Sequence, residues 1–476
     1  MVYSRLILCL LFAASLCGAP TQAAPQAAQK SAPKSALKSP NFILILTDDQ
    51  SWVGSSLCID PDDKRTSSDF YQTPNIERLA SLGMRFTQGY APAPYCCPTR
   101  RSIQIGQSSA RHLDQKDQPG WTEYYKQQPT IPKSLKAIDP NYRTAHFGKW
   151  DFRYDGISPA AIGYDISDGP TGNGEGGGPG TDWPAAKEDP KLIDYLTERT
   201  CRFMADCSDE KKPFYVQLSH YAVHLGVYYK QATLDRVAKR QKGTNHNIAE
   251  FAAMTEDMDT GIGRVLDKVK ELGLDDSTYI IFMSDNGGRK DIPGFESDNL
   301  NLPLRGNKGN MYEGGIRVPF IVSGPAIQAG SISHVPVSGV DLLPTITDLA
   351  GQQLQHNRLD GGSLKSLLNG QSETVKRNND FLIFHQAVIR KPQTAILKGN
   401  YKLVKTWDGN KLELFDLSND LAEAQDLSNE MPEKTEELHQ RMVAYLDKVN
   451  AATEYMGSKS QIYKLWGKTR KKSEDE

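Results

Sequence analysis

The chain has almost no net charge, few cysteines and, beyond its first two dozen residues, no long apolar run. Across 476 residues the formal charge is only −2, which argues against the basic surface by which nucleic-acid binders meet phosphates. After residue 24 no segment approaches the roughly 20 apolar residues needed to cross a bilayer, so no stable membrane insertion is expected. Of seven cysteines, Cys9 and Cys17 lie in an N-terminal stretch with a basic start at Arg5, the apolar run LILCLLFAASL and small residues at Ala23 and Ala24. That pattern reads as a cleavable signal peptide over residues 1–24, so the mature protein is expected to be periplasmic or secreted. Cys58, Cys96, Cys97, Cys201 and Cys207 remain. In an oxidising compartment an odd count leaves one thiol to explain. Cys201 and Cys207, in CRFMADC, are the natural local pair, while the adjacent Cys96 and Cys97 would make a strained vicinal disulfide and are expected to have separate fates.

With 38% hydrophobic residues the chain can bury a large core. Residues 25–39 form an Ala/Pro/Lys/Ser/Gln linker without a periodic apolar face. The consecutive apolar run Phe42 to Leu46 suits a strand buried on both faces of a sheet, and FYVQLSH, YIIFMSDN and VPFIVSG repeat the pattern. Between these runs lie helical periodicities, clearest from Ile248 to Leu272. Strands alternating with helices predict an α/β layered fold. After about residue 380 the texture changes to the short runs AILKGNYKLVKTW and LELFDL and a helix from Glu433 to Val449. The expected organisation is therefore a main domain over 40–380, a small C-terminal α+β subdomain over 381–457, and a charged tail over 458–476. The glycine-rich stretch Gly169 to Gly180 lacks the lysine of a phosphate cradle and reads as a mobile surface loop.

Chemistry gathers at strand ends. Asp48 and Asp49 end the first run, Asp285 and Asn286 end another, and ligands of open α/β sheets bind at the carboxyl ends of strands. These are hard oxygen donors suited to Ca²⁺ ahead of Mg²⁺, although TDD and SDNGG are also ordinary turn sequences. Three converging carboxylates without a counter-charge would repel unless a cation sat among them. In APYCCPTRRSIQIG, Pro98 suits the first turn of a helix starting near Cys96, so amide donors and the positive helix end would face an anion at residue 96. Arg100, one turn on, can add a cationic fork.

The run CCPTRRSIQIG matches the C-x-P-x-R signature of the sulfatases at Cys96, Pro98 and Arg100, and the chain resembles that family from Asn41 to about Leu446. The resemblance implies an alkaline phosphatase-like fold with a large mixed sheet flanked by helices. It implies that Cys96 is oxidised by a formylglycine-generating enzyme to formylglycine, whose hydrate is the nucleophile, which would account for the odd thiol. It further implies Ca²⁺ held by Asp48, Asp49, Asp285 and Asn286 together with residue 96. TAHFGKW places Lys149 at a sulfate-binding lysine, RGNKGNMYEGGIRVPF places Lys308 at a second, and HYAVH places His224 near the leaving oxygen, with His220 as a rival four residues away. The family normally has histidine after GKW where this chain has Asp151, a carboxylate able to act as the base. The implied activity is hydrolysis of sulfate esters, the expected substrate a sulfated polysaccharide or oligosaccharide. The alternatives are a phosphodiesterase or phosphonate monoester hydrolase of the same superfamily, and a catalytically decayed glycan-binding protein. Trp121, Tyr124, Tyr125, Trp183 and His385 are candidates for stacking on a sugar.

Overall fold

Strand β1 (Asn41–Thr47) has every residue buried, and its alternate side chains serve two different cores. Ile43 and Ile45 face one, Phe42, Leu44 and Leu46 the other, as the two-residue period of a strand requires. The computed structural model describes residues 39–112, 121–152, 157–176, 188–295, 300–387 and 392–454. The expected signal peptide, all but Ser39 of the expected linker, the charged tail, Trp183 and the side chain of Trp121 therefore lie outside the described residues.

The remaining strands are β2 (Gly83–Phe86), β3 (Gly89–Tyr90), β4 (Arg143–Gly148), β5 (Ile166–Ser167), β6 (Phe214–Ser219), β7 (Thr278–Ser284), β8 (Phe320–Ser323), β9 (Ser331–Ser333) and β10 (Val337–Ser338), followed by β11 (Leu382–Gln386), β12 (Gln393–Lys398), β13 (Tyr401–Thr406) and β14 (Lys411–Asp416). The large sheet has the order β5-β4-β6-β1-β7-β8-β2-β9, and β3 pairs separately with β10. Its central strands β4, β6, β1 and β7 are parallel, so their carboxyl ends share one edge. The run VPFIVSG supplies β8, which is antiparallel to β7 and makes the sheet mixed. Hydrophobic runs encode burial but not strand direction.

Helices Pro74–Leu82, Ile193–Asp209 and Ala249–Glu271 cover one face of the sheet, and helices Cys96–Ile105, Ile131–Ile138 and Leu342–Leu349 the other. The periodicity read from Ile248 to Leu272 thus forms one long helix. The second sheet, β11-β12-β13-β14, is antiparallel throughout. One face of it packs Phe384, Leu397, Val404 and Phe415 against Tyr90, Met311 and Ile316 of the main domain. The other packs Ile383, Ile396, Leu403 and Leu414 under the helix Pro432–Lys448.

The expected disulfide is absent. Cys201 and Cys207 are both free thiols on the helix Ile193–Asp209. Six residues of helix advance about 9 Å, beyond the Cα separation that a disulfide spans. Cys207 points into the core and Cys201 is half-buried. Cys58, Cys96 and Cys97 are also free.

Candidate active site

The site is assembled at the shared carboxyl edge of the parallel strands. Asp48 and Asp49 follow β1, Lys149 follows β4, and Asp285 and Asn286 follow β7. The chain leaves β4 through Gly148 at φ 92°, where a Cβ would lie 2.0 Å from the Ser219 carbonyl oxygen, so only glycine permits the turn that delivers Lys149. Asp49 sits in the left-handed region at φ 59°, a conformation aspartate tolerates better than most residues. Its amide donates to Asp285 Oδ1 at 3.2 Å, and the Gln50 amide donates to Ser284 Oγ at 3.0 Å, so the loops after β1 and β7 lock together.

Cys96 occupies the first position of the helix Cys96–Ile105, after an extended Tyr95, and the helix ends on left-handed Gly106, whose amide donates to Ser102 O. The thiol is buried, 3.6 Å from Asp48 Oδ1 and 3.2 Å from Lys308 Nζ. Burial pushes the Cys96 thiol far up, against the pull of Lys149 and Lys308. A cysteine here therefore stays protonated and is a poor nucleophile.

The acids meet cations at close range, contrary to the expectation of three carboxylates without counter-charge. Lys149 Nζ donates to Asp48 Oδ2 and Lys308 Nζ to Asp49 Oδ1. Arg100 donates from Nε to Asp285 Oδ2 at 2.9 Å and from its guanidinium to the Lys149 carbonyl at 2.6 Å. Its fork thus braces the frame of the site. Burial works to raise the Asp48 carboxyl, but Lys149, with His224 and Arg100, holds it below its usual range. Asp49 is likewise held low, chiefly by Lys308 acting against burial. Asp285 moves the other way, up to about 6, through burial and the neighbouring Asp48.

Ligand atoms of Asp48, Asp49, Cys96 and His224 lie within 4.8 Å of one another, a group able to hold a metal ion. Two further features fit a cation. Asp49 Oδ2 and Asn286 Oδ1 are buried acceptors without a hydrogen-bond partner, although Asn286 Nδ2 donates to Asp49 Oδ1 at 2.8 Å. Unsatisfied buried oxygens are costly unless something electropositive meets them, and hard oxygen atoms suit Ca²⁺.

His224 Nε2 lies 3.8 Å from Asp49 Oδ2, and its Nδ1 is 2.8 Å from the Leu225 carbonyl, which can only accept. The proton of the neutral ring is therefore on Nδ1, and burial pulls the imidazole down to about 4. The rival His220 is elsewhere: it is fully buried, both ring nitrogens lack partners, and it packs near Thr197 and Gly261 beneath the long helix. Asp151 is buried with φ 57°, and its Oδ2 lies 3.6 Å from Lys149 Nζ.

Three other expectations change. The described part of the glycine-rich stretch is packed against the site: the Thr171 hydroxyl accepts from the Trp150 amide at 3.0 Å, Asn173 Nδ2 lies 3.4 Å from His224 Nε2, and a Cβ on Gly176 would strike the Tyr221 ring. Tyr125 is buried and donates to the Arg101 carbonyl, and His385 is buried between Thr394 Oγ1 and the Ala452 carbonyl, so neither is available to a sugar. Tyr124 is half-buried, donates to Gln107 and lies under Arg358. Sequence reasoning missed Asn173 and Lys191, whose Nζ donates to the His224 carbonyl at 2.7 Å. Nothing in the order of residues around Lys191 signals that contact.

The sulfatase family model matches residues 40–352, and the C-terminal model of N-sulphoglucosamine sulphohydrolase matches residues 306–452. A sulfatase from Formosa agariphila is 27% identical, covering 87% of this chain and 90% of its own. The structure of Ps i-CgsB in complex with k-i-k-neocarrahexaose superposes with a TM-score of 0.71 at 23% identity, covering 91% of this chain and 98% of that one. A protein solved in complex with its substrate D-glucosamine-2-N,6-O-disulfate superposes with a TM-score of 0.62 at 20% identity, covering 87% and 98%. With the family model spanning most of the chain and the signature cysteine at the meeting point of the acids and lysines, the protein belongs to the sulfatase family.

Proposed function

We propose that this protein is an exported sulfatase that removes ester sulfate from a sulfated polysaccharide or oligosaccharide, using formylglycine made from Cys96 and a bound Ca²⁺. The observation that carries the reading is the placement of residue 96 at a helix N-terminus, with Lys308 Nζ 3.2 Å from its side chain and Lys149 and Arg100 fully buried around it. The protein–carbohydrate complexes among its structural neighbours support a sugar substrate.

The hydrated aldehyde would supply one hydroxyl to attack sulfur and a second whose deprotonation expels sulfate and restores the carbonyl. Asp48, Asp49, Asp285 and Asn286 would hold the Ca²⁺, which supplies a template and a Lewis acid for a sulfuryl oxygen. Lys149 and Lys308 present ammonium groups to the charge that builds on the sulfuryl oxygens, and the helix amides add to them. Arg100 keeps Asp285 and the Lys149 backbone in place. His224 offers Nε2 on the leaving-oxygen side, where the negative sulfate ester favours the protonated ring and so a proton for the departing alcohol. Asp151, beside Lys149, takes the proton of the second hydroxyl in place of the family's histidine.

Expression in a host that carries the cysteine-oxidising enzyme, mass analysis of the peptide containing residue 96, and assay of free sulfate from a panel of sulfated glycans test this reading. Conversion at residue 96 with sulfate release supports it. Full activity with an intact thiol, or faster cleavage of an aryl phosphate diester than of any sulfate ester, overturns it. Asp151→Asn should give a fast first turnover of released alcohol followed by slow steady-state release, and unchanged steady-state turnover would remove Asp151 from this role.

A further inference from the structure

Next to His224 the chain does something locally unfavourable. It enters the helix Ile193–Asp209 through two consecutive non-glycine residues in the left-handed region, Lys191 (φ 60°, ψ 15°) and Leu192 (φ 54°, ψ 34°). Left-handed backbone crowds the Cβ of an L-residue, and such strain persists only where surrounding contacts hold it, often at functional sites. The result is that the Lys191 side chain turns inward and is 1% exposed.

Lysine is almost never fully buried unless paired. Among the described residues, no carboxylate lies within ion-pair distance of Lys191 Nζ; its hydrogen bond goes to the His224 carbonyl at 2.7 Å. The ammonium also lies 5.4 Å from the centroid of the Tyr228 ring. Tyr228 is a large side chain left 37% exposed, and its ring folds back over the backbone of Gly226, where a Cβ would sit 3.2 Å from it. His224 is thus held at two points, its carbonyl by Lys191 and its Nδ1 by the Leu225 carbonyl, while Nε2 stays turned toward Asp49. The same lysine thus contacts both His224 and a partly exposed aromatic ring.

We propose that Lys191 is a positioning residue for the leaving-group side of the site: it fixes His224 opposite residue 96 and carries Tyr228 as the surface on which the departing sugar stacks. The inference rests on the sulfatase reading above. An alcohol on a sugar is a poor leaving group that needs a proton, whereas 4-nitrophenolate leaves without one. A residue that acts through His224 therefore affects the two substrate types unequally, and a residue that only supports the fold affects them alike.

The test compares kcat/KM of the calcium-loaded enzyme, with residue 96 converted, on a sulfated oligosaccharide and on 4-nitrophenyl sulfate. Lys191→Met should lower the ratio of sugar to aryl activity tenfold or more. Parallel losses on both substrates, or an unchanged ratio, would overturn the proposal. Tyr228→Ala alters an exposed side chain and reads the platform without depending on the fold of the lysine variant: it should raise KM for the sulfated oligosaccharide at least fivefold, and an unchanged KM overturns that part. A wild-type enzyme inactive on both substrates overturns the functional reading and this inference together, whereas an active wild type with unaltered variants overturns the inference alone.

Discussion

Two regions of the molecule bury clusters of opposite charge, and they are built to different ends. Between the main domain and the second sheet, Lys402 Nζ lies 2.7 Å from Glu313 Oε1 and 2.9 Å from Glu423 Oε1, while Arg317 and the Tyr90 hydroxyl reach Glu313 Oε2 at 3.0 and 2.9 Å. The Glu313 amide donates to Glu423 Oε2 at 2.7 Å. Three of the four carboxylate oxygens there accept a hydrogen bond, and the fourth, Glu423 Oε1, is met by the Lys402 ammonium alone at 2.9 Å. At the active site Asp48, Asp49 and Asp285 also face Lys149, Lys308 and Arg100, yet Asp49 Oδ2 and Asn286 Oδ1 are left without partners. Buried charge alone therefore does not mark function. What separates the two clusters is the buried Cys96 thiol among the active-site acids and the two oxygens, Asp49 Oδ2 and Asn286 Oδ1, that neither a hydrogen-bond donor nor a lysine meets; left-handed backbone occurs in both, at Asp49 and Asp151 in one and at Glu423 (φ 51°) in the other.

The largest contrast is expected on removing the proposed nucleophile. Cys96→Ala should lower sulfate release by about 10⁴-fold or more, with little change in thermal midpoint, since a small side chain is trimmed at a helix end. A comparable fall in midpoint would make the site a structural cluster like the other.

Lys402→Met should do the reverse. It leaves two buried glutamates without their shared cation and should cost about 3–5 kcal/mol of stability, read by denaturant unfolding, while turnover per folded molecule stays within a few-fold. A stability loss under 1 kcal/mol would break the comparison from that side.

Metal should act on one cluster alone. Calcium at about a hundred times its Kd should stabilise the protein by about 2.7 kcal/mol, seen as a higher midpoint that chelator reverses. Asp49→Ala should abolish the shift and Glu423→Gln should preserve it. A shift that survives Asp49→Ala would place the ion elsewhere.

The smallest effect concerns pH. Burial raises the Glu423 carboxyl to about 7, Lys402 opposing and Glu313 adding, against an ordinary value of 4.5. The folded state then holds this proton more tightly than the unfolded chain, so its stabilising contribution is complete below pH 4.5 and is lost as pH rises through 7. Glu423→Gln should flatten the decline in unfolding free energy between pH 5 and pH 8 by about 2 kcal/mol. An identical slope in the variant would show that Glu423 is ionised throughout.

Much of the site was legible because its residues follow strands whose apolar runs are unmistakable: Asp48 and Asp49 after Phe42–Leu46, Asp285 after YIIFMS, Lys149 after the strand that ends at Gly148. The cysteine signature reads as a helix start because Pro98 is compatible only with a first turn. Other features depend on contacts between distant segments. The salt bridges that neutralise the acids join residues 101 and 259 positions apart. The inward turn of Lys191 comes from backbone strain, which composition does not encode. Cys201 and Cys207 look paired by spacing, but the helix that carries them separates them. His385 is a candidate for stacking on a sugar by its residue type and place in the subdomain, but its strand packs both faces and its ring is held by Thr394 and Ala452.

The segment that bears Lys308 is tied down from outside its own domain. Arg305 reaches the Glu423 carbonyl at 3.0 Å and Glu413 at 3.1 Å, the Tyr312 hydroxyl donates to Glu413 at 2.6 Å, and Glu313 is gripped by Lys402 and Glu423. A hybrid enzyme that borrowed its C-terminal half from a relative would thus inherit foreign anchors for the lysine whose ammonium meets Asp49 and Cys96. The seam for such a graft belongs before Arg305, not at the start of the second sheet.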